Sequence, residues 1–249
     1  MIHDKDMTNI ISVSITKGGT GKTVTSVNLS AGLAKTGKKV LLVDTDTQGK
    51  VSAMLGIQPE NSLASLIDGF DVEKVVLEAR ENLWVIPGGR SLAHLKSTLS
   101  SQDTLQKALS PFEGKYHYII IDSSPGWDAL TVNVLYYAKD ILAPVSLEVL
   151  TIQALIEYTN NIKAIQKHNK RLTLKYILPT FLDRRVKKSG EILEQLKDFY
   201  GDAVCDPIRY NVKLSESPGY NKTIFEYSPK SAGSSDYKKL VEKIIGGGK

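Results

Sequence analysis

The chain has a single cysteine, Cys205, in 249 residues. That excludes an internal disulfide framework, a zinc site built from several thiolates, and an iron–sulfur cluster held within one chain. No apolar run approaches the roughly 18–20 residues needed to span a bilayer. Met1–Asn9 is mixed and polar and lacks the apolar stretch of a secretory signal. No internal repeat, low-complexity stretch or Pro/Gly/Ser-rich linker divides the chain. These absences lead to the expectation of a cytoplasmic protein with one domain over residues 1–249, long enough to bury a sizeable core. Residues 1–8 are expected to form a flexible extension and residues 246–249 a flexible tail.

What is present is unevenly placed. Lys and Arg total 32 against 27 Asp and Glu, a net charge of +5. Between Asn160 and Gly190 stand nine basic residues: Lys163, Lys167, Lys170, Arg171, Lys175, Arg184, Arg185, Lys187 and Lys188. Only Asp183 opposes them, so this window carries +8 and the rest of the chain is slightly acidic. Such a field suits a polyanion, either nucleic acid or an anionic membrane. A solvated helix face followed by a basic loop has the same composition.

Short β-branched runs predict buried strands at Asn9–Ile15, Lys39–Val43, Leu83–Ile86, Tyr118–Ile121, Ile141–Val145 and Leu174–Leu178. Helical spacing predicts helices at Thr23–Lys35, Leu92–Leu109, Ala129–Ala138 and Thr151–His168. Strands alternating with helices give an α/β fold, a mostly parallel twisted sheet covered by helices on both faces.

Between the first strand and first helix lies Lys17-Gly18-Gly19-Thr20-Gly21-Lys22-Thr23. Glycines let successive N–H groups converge on an anion, and the helix N-terminus behind them adds partial positive charge. Lys22 is placed to reach β- and γ-phosphates and the Thr23 hydroxyl to ligate Mg²⁺. The spacing departs from G-x-x-x-x-G-K-[ST], because Thr16 occupies the first glycine position and an additional lysine, Lys17, precedes the loop. Two strands end in carboxylates beside it: Asp44 in Asp44-Thr45-Asp46-Thr47-Gln48-Gly49, and Asp122 in Asp122-Ser123-Ser124-Pro125.

The KGGTGKT stretch resembles the deviant Walker A motif of the ParA/MinD ATPases, and the likeness extends over about Asn9–Ile245. The resemblance implies a P-loop ATPase that takes ATP and Mg²⁺ at Gly18, Gly19, Thr20, Gly21, Lys22 and Thr23. It implies that Lys17 reaches across an ATP-dependent homodimer to the partner's nucleotide, and that Asp44 orients the attacking water. Asp122 is then a Walker B residue that holds Mg²⁺ through water, with Asp46 either a metal neighbour or structural. Thr47 and Ser124 stand where the family usually has proline. The stretch Asn211-Val212-Lys213-Leu214-Ser215-Glu216 with Pro218 resembles the ParA segment beside the adenine. It implies Ile208, Arg209 and Asn211 as adenine neighbours and Lys213 as a DNA contact. Thr180–Arg185 resembles the stretch whose last arginine binds DNA nonspecifically, which implies Arg184, Arg185, Lys187 and Lys188 as DNA contacts.

On this reading the chain is a ParA-like hydrolase, weak alone, stimulated by a ParB-like activator. It binds nonspecific DNA of the nucleoid to position a plasmid, a chromosome or other cargo, with no stable membrane association. The alternative is a MinD-like ATPase that cycles on a membrane, for which Asp236–Ile245 would have to be an amphipathic anchor. A reductase of the nitrogenase iron-protein type needs bridging cysteines that Cys205 alone does not supply. A module using ATP only structurally would release no phosphate, and nothing in the sequence marks the acceptor site of a small-molecule kinase.

Overall fold

The computed structural model describes residues 8–99 and 101–247. Seven strands form one sheet: β1 Asn9–Val13, β2 Val40–Asp44, β3 Leu77–Arg80, β4 Leu83–Ile86, β5 Tyr118–Asp122, β6 Asp140–Ser146 and β7 Thr173–Thr180. Their order across the sheet is β3-β4-β2-β5-β1-β6-β7. All pairings are parallel except β3 with β4, which is antiparallel and bulged between Glu78 and Arg80. The helices are α1 Lys22–Lys35, α2 Lys50–Leu55, α3 Leu63–Ile67, α4 Val72–Val75, α5 Leu95–Thr98, α6 Thr104–Leu109, α7 Ala129–Tyr137, α8 Val149–Gln166, α9 Lys187–Tyr200, α10 Val212–Glu216, α11 Ile224–Tyr227 and α12 Ala232–Gly246.

The strands read as nearly unbroken apolar runs because both faces of the sheet are covered. Alternate residues enter opposite cores. Ile11 and Val13 of β1, Val40 and Leu42 of β2 and Ile120 of β5 pack with α1 and α12 on one face. Ile10, Leu41, Val43, Ile119 and Ile121 pack on the other face with α3, α6 and α7, where α8 and α9 cover β6 and β7. The chain leaves central β1, crosses over β5 to pair β2, and later returns to the other side of β1 as β6. The strand order thus reverses at β1, and ligands of such sheets bind at the carboxyl ends around that point.

Four differences from the sequence expectation are seen. The strand Leu77–Arg80 is not among the expected ones, because LEAR lacks β-branched residues and lies half-exposed at the sheet edge. The single helix expected at Leu92–Leu109 is broken into α5 and α6. In the gap, Ser101 O accepts from the side-chain amide of Asn133 at 3.0 Å rather than from a helical turn. Thr8, expected in a flexible extension, is buried and donates its hydroxyl to Tyr116 O at 2.7 Å. Gly246, expected in the tail, closes α12, while residues 1–7 and 248–249 lie outside the described residues.

Candidate active site

The loop Lys17–Thr23 joins β1 to α1 with Gly19 at φ +76° and Gly21 at φ +88°. These are left-handed conformations that a side chain strains. Gly21 caps α1 without any side-chain hydrogen bond, so the first amides of the helix are left for an anion. A cavity of about 630 Å³ opens in front of them, lined among others by Gly18, Gly21, Lys22, Thr23, Asp46 and Pro218.

Lys22 is buried and donates from Nζ to Lys17 O at 2.7 Å. Burial lowers its pKa to about 8, opposed by the negative charge of Asp122 and Asp46. Beneath the loop, register places Asp44 beside Asp122 at the ends of β2 and β5. Asp122 Oδ1 accepts from Ser26 Oγ at 2.7 Å, while its buried Oδ2 has no hydrogen-bond partner among the described residues. Burial holds the Asp122 carboxyl above the usual carboxylate range. An orphaned carboxylate oxygen beside Thr23 is the kind of hard donor that Mg²⁺ takes next to phosphates. Among the described residues no group of three or more His, Cys, Asp or Glu forms a cage.

Asp44 is fully buried and does not line the cavity. Its Oδ1 accepts from Asp46 N at 2.8 Å and its Oδ2 from Val51 N at 3.3 Å. Burial, and then the neighbouring Asp122, push its carboxyl upward. Asp46 lines the cavity, its Oδ1 accepting from Gln48 N at 3.0 Å. The support under Asp44 comes from Pro87-Gly88-Gly89, which follows β4, the strand paired with β2. A Cβ on Gly88 would lie 2.5 Å from Asp46 O and 2.7 Å from Asp44 Cγ. Gly89 N donates to Asp46 O at 3.1 Å, completing the cradle. Sequence reading does not find Gly88, since the need for glycine arises on a neighbouring strand.

Lys17 Nζ donates to Thr151 Oγ1 at 2.7 Å and to Glu148 Oε2 at 3.2 Å. Thr151 is braced in turn by Ser146 at 2.7 Å. The lysine therefore rests on the start of α8, next to Val149 and Leu150, which are 53% and 67% exposed. Ser124, at a position where proline is usual, has a partner of its own: Lys96 Nζ donates to its hydroxyl at 3.0 Å and pairs with Asp128 at 3.1 Å.

The segment expected at the adenine meets the cavity at one residue, and not at one of the three named. Pro218 lines it. Ile208 is buried in the core with Tyr237 and Leu240. The Arg209 guanidinium is committed to Asp236 of α12 at 2.6–3.1 Å. The Asn211 side chain caps α10 by accepting from Lys213 N at 2.9 Å. Phe181 lines the cavity instead, with φ +58° and its ring 3.4 Å from a Cβ on Gly21. A phenylalanine in that left-handed region stores strain of about 1–3 kcal/mol, which marks it as held there by its surroundings.

The basic window does not form one patch. α8 carries the chain from the carboxyl end of β6 back to the amino end of β7, so Lys167, Lys170, Arg171 and Lys175 lie at the edge opposite the loop. Arg184, Arg185, Lys187 and Lys188 follow β7 at the loop's edge and are exposed. Arg185 makes two bonds to Asp183, at 2.9 and 2.7 Å, and Lys188 pairs with Glu191 at 3.2 Å. Lys213 pairs with Glu216 at 2.9 Å. Exposed pairs of this kind contribute little to stability and exchange readily for a phosphate.

Comparison with known proteins agrees with this geometry. A family model described as an AAA domain matches residues 8–174. The chain is 37% identical to the sporulation initiation inhibitor protein Soj of Bacillus subtilis (strain 168), over 97% of this chain and 100% of that one. It is 32% identical to the chromosome partitioning protein ParA of Myxococcus xanthus (strain DK1622), over 95% of this chain and 87% of that one. Among solved structures, cobyrinic acid a,c-diamide synthase from Mycobacterium smegmatis with bound ADP and magnesium superposes with a TM-score of 0.83. It is 27% identical, and the match covers 96% of this chain and 94% of that one. With its phosphate loop, paired strand-end carboxylates and full-length likeness to Soj and ParA, the chain belongs to the ParA family of P-loop ATPases and is an ATP hydrolase working with ATP and Mg²⁺.

Proposed function

We propose that this ATPase, acting as one domain, closes into a homodimer around ATP, binds DNA without regard to sequence in that form, and so positions a cargo on the nucleoid. The observation that carries the reading is Lys17. A second lysine stands at the mouth of the phosphate loop, its side chain held among the described residues by an exposed contact to Glu148 and by Thr151. Around it, Trp127, Val149, Leu150 and Phe181 expose apolar surface of the kind a second subunit covers. In the proposed dimer Lys17 leaves Glu148 for the partner's triphosphate.

Within each subunit the amides of α1 and the Lys22 ammonium bind and orient the phosphates. Thr23 and Asp122 would hold the magnesium ion, which when bound neutralises charge on the phosphate oxygens. Asp44 orients the water that attacks the γ-phosphorus as the bond to the bridging oxygen breaks. Its carboxylate must turn toward the cavity to do so, because it is sealed beneath Asp46 here. Dimerisation brings two copies of Arg184, Arg185, Lys187, Lys188 and Lys213 onto one duplex. Affinity then depends on ATP and falls steeply with salt, by about 0.9 in log K per phosphate neutralised. A ParB-like activator that speeds hydrolysis would release the dimer.

Two variants separate the parts of this proposal. Lys17→Ala is expected to lose ATP-dependent dimerisation in sedimentation and at least about tenfold in turnover, as for loss of a transition-state donor. Unchanged pairing and turnover would remove the trans-acting lysine. Arg185→Glu is expected to dimerise normally with ATP but to bind duplex weakly, with the salt slope lowered by about 1.8 for two lost contacts per dimer. An unaltered slope would place the DNA elsewhere. Among the described residues no helix is long and apolar enough to cross a membrane. α12, the element that an anchor would need, buries Tyr237, Leu240, Val241 and Ile244 against the sheet instead.

A further inference from the structure

We propose that the edge of the sheet opposite the phosphate loop is a second surface for the DNA backbone, one that needs no nucleotide. The inference shares with the proposed function only the idea that this chain binds DNA. All parallel strands begin at this edge, and the loops that feed four of them carry lysine or arginine. Lys38 and Lys39 precede β2, Lys115 precedes β5, Lys139 precedes β6, and Lys170 and Arg171 precede β7. The sheet sets them in a row, because β2, β5, β1, β6 and β7 are consecutive neighbours. Backbone bonds fix the alignment: His117 N donates to Lys39 O at 2.9 Å, Lys139 N to Ile10 O at 3.0 Å, and Thr173 N to Lys139 O at 2.9 Å.

Four interstrand steps of roughly 4.8 Å make this row about 19 Å long. One strand of duplex presents a phosphate about every 3.4 Å along the helix axis, so the row faces about five or six of them.

Most of the charges on this edge are uncommitted. Among the described residues the side chains of Lys38, Lys39, Lys115, Lys170 and Arg171 carry no ion pair, and Lys139 Nζ donates to the Thr8 carbonyl. Among the described residues the carboxylates in the same loops and strand starts are Glu81, Glu113 and Asp140, of which Asp140 is neutralised by Lys175 at 3.0 Å. At the loop's edge, by contrast, Arg185, Lys188 and Lys213 are each paired within the chain. Helix dipoles account for cations such as Lys35 and Lys167 at the ends of α1 and α8.

A nucleic-acid backbone fits this edge better than a membrane. Among the described residues the large apolar side chains that are exposed, such as Phe70, Trp127, Leu150 and Phe199, lie elsewhere, so none of them is placed to insert into lipid from this edge. β7, eight residues long, separates Arg171 from Arg184. At about 3.3 Å per residue the two surfaces lie roughly 25 Å apart, far enough for each to hold its own segment of DNA.

The test uses the full chain and the triple variant Lys39→Glu, Lys115→Glu, Arg171→Glu, with Arg185→Glu in parallel. Binding to a random-sequence duplex is measured by anisotropy across salt, without nucleotide and with ATP·Mg²⁺, and binding to phosphatidylglycerol vesicles by flotation. The wild-type chain is expected to bind duplex weakly without nucleotide. The triple variant should lose at least about tenfold of that affinity and about 2.7 from the salt slope, three contacts' worth. Its basal ATP hydrolysis and melting temperature should not change. Neutral replacement of the same residues by Gln should shift binding in the same direction by less, guarding against an effect of misfolding.

Arg185→Glu should leave the nucleotide-free binding intact. No nucleotide-free binding by the wild-type chain, full binding by the triple variant, or its loss in Arg185→Glu alone overturns the proposal. Vesicle binding that the triple variant loses, with no duplex binding, assigns the edge to a membrane and overturns it too. If ATP adds nothing to duplex affinity while the triple variant still loses its nucleotide-free part, the dimer reading fails and this one stands.

Discussion

Asp44→Asn is expected to lower ATP turnover by about 10²–10⁴-fold, the range for removing a group that handles the proton of a nucleophile, while ATP still binds. The same change should leave the stability of the nucleotide-free protein less dependent on pH between about 4 and 8. Both effects come from one geometry. Asp44 is sealed beneath its loop next to Asp122, and burial followed by that second carboxylate raises its pKa to about 8. Its folded-state pKa thus exceeds its unfolded value, so the native state holds the proton more tightly. Stability is then fully present below the ordinary carboxylate range and is lost as pH rises from near 4 toward 8. A neutral Asn removes that loss, and a tenfold difference in acidity between the two states is worth about 1.4 kcal/mol. For a chain of this size, even that much moves Tm by a few degrees. Melting curves across pH for both proteins, beside phosphate-release rates, check the pair of outcomes. Retained turnover would show that another group holds the water. Parallel pH profiles of Tm would show that Asp44 is not the buried acid responsible.

The second large effect is expected at Gly88. Its backbone does not occupy the left-handed region, so alanine is tolerated by the chain itself. The obstacle is contact: a methyl would meet Asp46 O at 2.5 Å and the Asp44 carboxyl at 2.7 Å. Overpacking against backbone costs about 1–3 kcal/mol. The carboxylate that moves is the one proposed to orient water. Gly88→Ala should therefore reduce kcat by at least about tenfold while KM for ATP changes little, since displacing a reacting group by an ångström costs up to about a hundredfold. A variant that melts earlier but turns over normally would limit Gly88 to packing.

Much of the site could be read in the chain because strand ends speak locally. A β-branched run followed by glycines and a lysine, or closed by an aspartate, places the phosphate loop, Asp44 and Asp122 at the carboxyl edge without further information. What could not be read depends on partners distant in sequence. Gly88 is needed by Asp44, across a pairing of β4 with β2. Ser124 is matched to Lys96 from another helix. Arg209 stands where a nucleotide contact is expected, yet Asp236 claims it from α12.

The basic window shows the same limit at larger scale. Its residues are neighbours in the chain, but α8 and β7 carry them between opposite ends of the sheet. Charge counted along the sequence merges two surfaces that the fold separates. The edge strand Leu77–Arg80 escapes notice because its composition is that of a half-exposed segment. Here hydrogen bonding to β4 decides what propensity does not.

The most direct test of the account is duplex binding measured with ATP·Mg²⁺, with ADP·Mg²⁺ and without nucleotide, beside binding to anionic vesicles under the same conditions. ATP alone is expected to add a strong duplex affinity that fades steeply with salt, and vesicles to capture nothing further. ATP-dependent capture by vesicles, with duplex affinity indifferent to nucleotide, would contradict it.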